Sequence, residues 1–180
     1  MTNTEFESEY AQNPYPNLPP IIESLDTEYL STGVTSSVAI AGHPIHPIIV
    51  VFPVAFLTGA AGSDLGYWLT KDLFWARAST WLIGLGLVAG ILAALIGMLD
   101  FLRVPRVRKR TAGWAHMILN VTALVLTAIN FWLRLDNPNF IVPIGLISSL
   151  LVATLLGLGG WYGGELSFRH KIGVIGPNEI

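Results

Sequence analysis

The chain has 180 residues, of which 52% are hydrophobic and 12% are charged, and its mean hydropathy is +0.58. Soluble domains carry about 25% charged residues, so this composition excludes an ordinary soluble domain and indicates an integral membrane protein. The net charge of −2 argues against a nucleic-acid partner, and the absence of cysteine excludes disulfides and thiolate metal sites.

Residues 1–41 form an acidic segment with six carboxylates and no lysine or arginine. Its proline-rich stretch NPYPNLPP favours extended, solvated backbone over a packed core. We therefore predict a cytoplasmic tail that is disordered or partly ordered, with a short helix around residues 21–30.

Four apolar stretches follow, at residues 47–69, 75–102, 111–133 and 140–164. Each is long enough for a helix to cross a membrane, which takes about 20 residues. The connections between them are short, so successive helices should be antiparallel neighbours. The predicted fold class is all-α: an integral membrane four-helix antiparallel bundle at residues 42–175, followed by a C-terminal tail at 176–180.

The basic residues are distributed unequally between the two membrane sides. We call the side that carries the N-terminal segment side A and the opposite side B. Side A receives seven of the ten basic residues and side B three: side A has Arg103, Arg106, Arg108, Lys109, Arg110, Arg169 and Lys171, and side B has Lys71, Arg77 and Arg134. The positive-inside rule then predicts a cytoplasmic (inner) membrane location with both termini cytoplasmic.

Small residues recur at helical spacing and predict close helix contacts, because glycine and alanine let backbones approach in lipid. The second helix carries Gly86, Gly90, Ala94 and Gly97, and the fourth carries Gly157, Gly160 and Gly164. These rows also make a homo-oligomer possible.

The chain reaches side A four times, and each passage brings polar residues. His43 and His46 precede the first helix, Asp100 and Arg103 end the second, His116 begins the third, and Glu165 and His170 follow the fourth. A residue before proline favours extended backbone, and polyproline II repeats every three residues. We therefore expect His43 and His46 to share a face, with His46 capping a helix whose first residue is Pro47.

Two cofactor chemistries fit four histidines without cysteine. In one, His46 or His43 and His116 supply two axial nitrogens to heme b, Asp100 orients a ligating imidazole, and Arg103 pairs with a propionate. In the other, His43, His46, His116 and His170 bind a zinc, iron or copper ion. The alternative is no cofactor, with the His/Asp/Arg cluster acting as a polar network that joins the helix ends.

A smaller polar set lies toward side B. Asp64 and Arg77 occur at similar depth on the first two helices, so we predict an ion pair between them. Asn120 and Asn130 on the third helix are expected to form hydrogen bonds between helices.

The segments GHPIHPIIVVFPVAF, GMLDFLR, GWAHMILN and GGELSFRHKIGV resemble the membrane proteins of domain-of-unknown-function family 2231. The resemblance covers about residues 42–175. It implies four transmembrane helices, with His43, His46, Asp100, His116 and His170 as the matched polar positions. Some members are fused to Rieske or cytochrome c domains, which by association favours redox work with a separate electron partner.

The predicted function is that of an electron-transfer or accessory redox subunit that binds heme b, or a metal ion, near side A. The rival is a cofactor-free structural or assembly protein. No serine nucleophile stands in a recognisable catalytic motif, so we expect no intrinsic enzymatic activity.

Overall fold

The computed structural model describes residues 33–136 and 138–173. The short helix predicted at 21–30 and the C-terminal tail at 176–180 lie outside the described residues. The described part of the N-terminal segment begins with an extended stretch, in which Val34 forms an isolated parallel bridge with Ile172.

A short hairpin leads into the bundle. Strands β1 (Ala39–Ile40) and β2 (His43–Pro44) pair antiparallel around Ala41 and Gly42, which both have positive φ. Two residues at positive φ are what a tight two-residue hairpin turn requires, and Gly42 adopts that conformation without steric cost.

Six α-helices follow in the described residues, and four of them are the long ones. They are α1 (Ile45–Ile49), α2 (Val51–Thr70), α3 (Leu73–Arg103), α4 (Pro105–Arg108), α5 (Thr111–Asp136) and α6 (Ile144–Gly164). A 3-10 helix at Pro138–Ile141 precedes α6, and a π-helix at Glu165–Arg169 follows it.

The four predicted membrane helices are confirmed, with small shifts at their ends. The spans 45–70, 73–103, 111–135 and 144–169 are each long and apolar enough to cross a membrane. The first span is interrupted at Val50, between α1 and α2. Pro53 has no amide hydrogen to donate to the Ile49 carbonyl, and this missing bond explains an interruption near the side-A end.

The long helices form a closed ring of contacts. Helix α2 packs against α3 and α6, and α5 packs against α3 and α6. Glycines of α3 lie at these contacts: a Cβ on Gly86 would come within 2.5 Å of Leu57, and one on Gly90 within 2.5 Å of Leu124. The predicted packing role of this row is confirmed. On α6, by contrast, a Cβ on Gly157 or Gly160 would meet nothing within 4 Å, so these glycines are not at helix contacts within the described chain.

The predicted ion pair between Asp64 and Arg77 is wrong. Asp64 is fully buried and pairs with Arg134, whose Nη1 donates to Oδ1 at 2.7 Å and whose Nη2 donates to Oδ2 at 2.5 Å. Arg77 is exposed on the first turns of α3. The sequence pattern placed Arg134 in a loop, but α5 continues to Asp136, so Arg134 is a helical residue that turns inward.

The Asp64–Arg134 pair is completed by uncharged partners from the other helices. Ser79 of α3 and Ser149 of α6 both donate to Asp64, and the Nε of Arg134 donates to Asn130. Asn130 in turn donates to Ser149 across the helix contact at 3.1 Å, as predicted for an interhelical hydrogen bond. Each long helix therefore contributes at least one side chain to a single buried network near side B.

Removing one member of the buried pair should destabilise the bundle strongly. An uncompensated buried charge costs about 3–5 kcal/mol, so Asp64→Asn or Arg134→Gln should lower the free energy of unfolding by roughly that amount. Unfolding in mixed detergent micelles, followed by circular dichroism, measures the change. Arg77→Gln is the matched control and should have little effect. Equal stability of Asp64→Asn and Arg77→Gln would contradict the assignment.

Candidate functional site

His46 is positioned by the hairpin and by α1. The helix begins at Ile45 with Pro44 as its N-cap, so His46 is a helical residue and the predicted cap at His46 is wrong. Its Nδ1 lies 3.0 Å from the carbonyl oxygen of Ala93 on α3. A carbonyl oxygen only accepts, so Nδ1 donates and the Nε2 atom is left without a proton in the neutral ring.

His116 is fixed in the same manner on the other side of the bundle. From the second turn of α5 its Nδ1 lies 2.7 Å from the carbonyl oxygen of Gly159 on α6. The Asn120 amide nitrogen lies 3.3 Å from the same Nδ1, but the carbonyl is closer and only accepts, so we assign the Nδ1 proton to Gly159. Asn120 donates instead to the His116 backbone oxygen at 2.7 Å, within its own helix, so the interhelical hydrogen bond predicted for Asn120 is wrong.

The two imidazoles are neighbours. Their ring centroids are 6.1 Å apart and their planes are nearly perpendicular, at 83°. The predicted approach of His46 and His116 across the bundle is therefore what the structure shows. No hydrogen bond among the described residues engages the Nε2 of either ring.

Two glycines make room for these rings. A Cβ on Gly97 of α3 would lie 2.6 Å from Cε1 of His46, and a Cβ on Gly163 of α6 would lie 2.9 Å from Cε1 of His116. Both distances are shorter than a carbon–carbon contact allows. The imidazoles therefore depend on the absence of a side chain at Gly97 and Gly163.

The two histidines line a cavity of about 370 Å3 between the side-A ends of the long helices. This volume is within the range of about 300–1,000 Å3 of small-molecule sites. The lining is mostly apolar, and its polar members are His46, Asp100, His116, Asn120 and Ser167. Among the described residues that line it, none is lysine or arginine.

Asp100 has different partners from the predicted ones. Its carboxylate accepts from Ser36 Oγ at 2.7 Å, from the Ser37 backbone amide at 2.6 Å and from Ser37 Oγ at 2.7 Å. The atoms that orient the imidazoles are the carbonyl oxygens of Ala93 and Gly159. Asp100 therefore holds the N-terminal segment against α3 and does not orient a histidine through a hydrogen bond.

The other predicted site residues lie apart from the pair. His43 is exposed, and its Nδ1 lies 2.7 Å from the carbonyl oxygen of Ala41 in its own hairpin. The prediction that His43 shares a face with His46 is therefore wrong. His170 is fully buried outside the cavity, with Nε2 at 3.8 Å from Glu165 Oε1. Arg103 is exposed and does not line the cavity.

The four histidines thus do not form one cluster. Within residues 33–136 and 138–173, no group of three or more histidine, aspartate or glutamate side chains is arranged to hold a metal ion. What the fold brings together is a pair of imidazoles, His46 and His116, in an apolar cavity.

Several residues that matter here carry no evident signal in the sequence. Gly97 is part of a row of small residues that indicates helix packing in general, and Gly163 belongs to a glycine pair. Ser36 and Ser37 lie in an uncharged stretch with no periodic pattern. Their roles depend on contacts between elements that are far apart in the chain.

A comparison with protein families gives one match. The model of domain-of-unknown-function family 2231, described as a predicted membrane protein, matches residues 42–176. No curated protein and no solved structure matches this chain.

A methyl group at Gly97 should disturb the site by displacing His46. Overpacking of this kind costs about 1–3 kcal/mol, so Gly97→Ala should lower the free energy of unfolding by that amount. Gly160→Ala is the matched control, because a Cβ there meets nothing within 4 Å. Unfolding in detergent micelles compares the two. A Gly97→Ala protein as stable as Gly160→Ala would contradict the close contact.

Proposed function

The chain belongs to the domain-of-unknown-function family 2231 of predicted membrane proteins, and we propose that it binds heme b through His46 and His116. The observation that carries this proposal is the pair of imidazoles 6.1 Å apart, each anchored through Nδ1 to a backbone carbonyl. An Nδ1–H bond to a carbonyl is the usual way in which a protein orients a metal-ligating histidine and leaves Nε2 for the metal.

The separation of the rings suits one shared metal atom. A metal-bound imidazole nitrogen lies about 2.0–2.1 Å from its metal, so two imidazoles that held one metal would have to be close neighbours. The two rings, with centroids 6.1 Å apart, are close neighbours of this kind.

The ligand atoms that the protein offers here fit heme better than a bare metal ion. Structural zinc takes four protein ligands and catalytic zinc usually takes three. Here two imidazoles are available, and the nearby Asp100 carboxylate is occupied by Ser36 and Ser37. Heme needs two axial ligands from the protein, because the macrocycle supplies the other four nitrogens.

The cavity supports the same choice. Its mostly apolar lining suits a macrocycle, and the missing side chains at Gly97 and Gly163 let each ring approach a helix closely. No lysine or arginine is among the described residues that line the cavity, so a basic residue at its rim would have to pair with the carboxylates of the heme. Arg103, one helical turn beyond Asp100 on α3, is the basic residue we propose for that contact.

A heme held by two histidines has no open coordination position, and this favours one-electron transfer over oxygen binding. We therefore propose an electron-transfer or accessory redox role, with a separate protein as electron partner. For a second copy of the chain we propose the glycine face of α6, since Gly157 and Gly160 have open space beside them whereas Gly86, Gly90 and Gly97 of α3 are occupied by contacts within the chain.

We also propose that side A is cytoplasmic and that the membrane is the inner membrane. Seven basic residues support this orientation on side A. The burial of Arg134 in its ion pair leaves Lys71 and Arg77 as the basic residues outside the core on side B, so the asymmetry is larger than the sequence count.

One observation favours the cofactor-free alternative. The His46–Ala93 bond ties the segment before α2 to α3, and the His116–Gly159 bond ties α5 to α6. Both bonds would stabilise the side-A end of the bundle without any ligand. Under that alternative the two histidines contribute to stability and bind no chromophore.

An absorption spectrum decides between these two functions. Protein produced with heme available should show a Soret band, and His46→Ala or His116→Ala should lose most of it because each removes one axial nitrogen. His43→Ala is the matched control: the residue lies in the same motif but is exposed, so the band should be retained.

A colourless wild-type protein under these conditions would overturn the heme proposal. If His43→Ala reduced the band as much as His46→Ala, the assignment of the ligands would be wrong. The free energy of unfolding of all three variants, measured without heme, shows separately how far each ring stabilises the helices.

A further inference from the structure

The side-A end of the cavity is closed by two chain segments that we call the roof, residues 34–37 and 170–173. The Val34 amide donates to the Lys171 carbonyl at 2.8 Å, and the Gly173 amide donates to the Val34 carbonyl at 2.9 Å. Ile172 and Gly173 line the cavity directly, and Val34 packs on the buried cluster that contains Phe101 and Ile172. The roof thus lies between the cavity and the aqueous phase of side A.

Asp100 fastens the roof to α3. Asp100 lines the cavity, and its carboxylate accepts three hydrogen bonds from Ser36 and Ser37. Hydrogen bonds to a charged group are about twice as strong as those between neutral groups. One carboxylate on α3 therefore holds the N-terminal half of the roof, which in turn is paired with the C-terminal half through Val34.

The side of the cavity that faces the surrounding lipid differs from the roof in its residues. Its exposed side chains on the long helices are apolar, namely Val54 of α2, Met98 of α3 and Val121 of α5. At 1.5 Å per helical residue, these positions lie about 7–15 Å from the side-A ends of their spans. The spans are longer than the hydrocarbon core, which is about 30 Å thick, so these positions lie between the side-A boundary of the core and its middle.

From the roof at the side-A end and the apolar side chains along the helices, we infer that the cavity exchanges its ligand with the hydrocarbon of the adjacent membrane leaflet. The roof, held by Asp100, excludes water and water-soluble molecules. The ligand class is an amphiphile that dissolves in the bilayer, which under the proposed function is heme. The inference deepens the proposed function, but it concerns the route into the cavity and can be tested without heme.

The absence of cysteine allows a direct labelling test, because any introduced thiol is the only one in the chain. Met117→Cys places a thiol in the cavity next to His116, and Arg108→Cys places one on the exposed side-A surface. Each variant is embedded in open membrane fragments, where reagents reach both faces. It is then treated with an apolar maleimide that partitions into lipid or with a charged maleimide that does not.

With the roof intact, the apolar reagent should label Met117→Cys, and the charged reagent should label it far more slowly than it labels Arg108→Cys. Adding Asp100→Ala, or the double change Ser36→Ala and Ser37→Ala, should raise the charged-reagent rate at Met117→Cys at least about tenfold. The loss of one hydrogen bond to a charged group weakens a closed state by about that factor. The apolar-reagent rate should stay unchanged.

Asp72→Ala is the matched control, since Asp72 caps the other end of the same helix by accepting from the Phe74 amide. It should leave both rates at Met117→Cys unaltered. Equal labelling of Met117→Cys and Arg108→Cys by the charged reagent with Asp100 intact would overturn the inference. Unchanged rates in both roof variants would overturn the role of Asp100. If the protein is colourless in the absorption test, heme is not the ligand, but the labelling rates still test the route into the cavity.

Discussion

The shortage of water inside a bilayer is the constraint on which this structure depends. A polar group buried among membrane helices has only the protein to bond with, and an unsatisfied group costs several kcal/mol. Asp64 and Arg134 near side B, and His46 and His116 near side A, meet this requirement with partners on other helices. The same bonds that satisfy these groups also join the helices.

The two ends use different chemistry for this purpose. Near side B, the Asp64–Arg134 pair is closed by Ser79, Ser149 and Asn130, so every strong donor and acceptor there is occupied. Near side A, His46 and His116 each use one ring nitrogen on a backbone carbonyl. A network with no spare group is suited to stability, whereas a pair of rings with spare nitrogens beside a cavity is suited to a ligand.

The site and its enclosure are built from the same elements. Helix α3 accepts the His46 bond at Ala93, makes room for that ring at Gly97 and holds the roof at Asp100, all within eight residues of the chain. A shift of α3 would therefore move both the His46 ring and the roof. This arrangement links the stability of the side-A end to the accessibility of the cavity.

The sequence by itself determined the membrane class, the four helices and the meeting of His46 with His116. These features depend on long apolar runs and short connections, which fix helix number and direction without knowledge of side-chain contacts. Only the tertiary structure decided which polar groups pair: Arg134 instead of Arg77 with Asp64, serines instead of a histidine with Asp100, and separate places for His43 and His170. The physical reason is that a hydrogen bond forms only when donor and acceptor lie within about 3 Å of each other. Whether two side chains meet at that distance depends on the rotation and depth of each helix, and the periodicity of apolar residues does not specify these so closely.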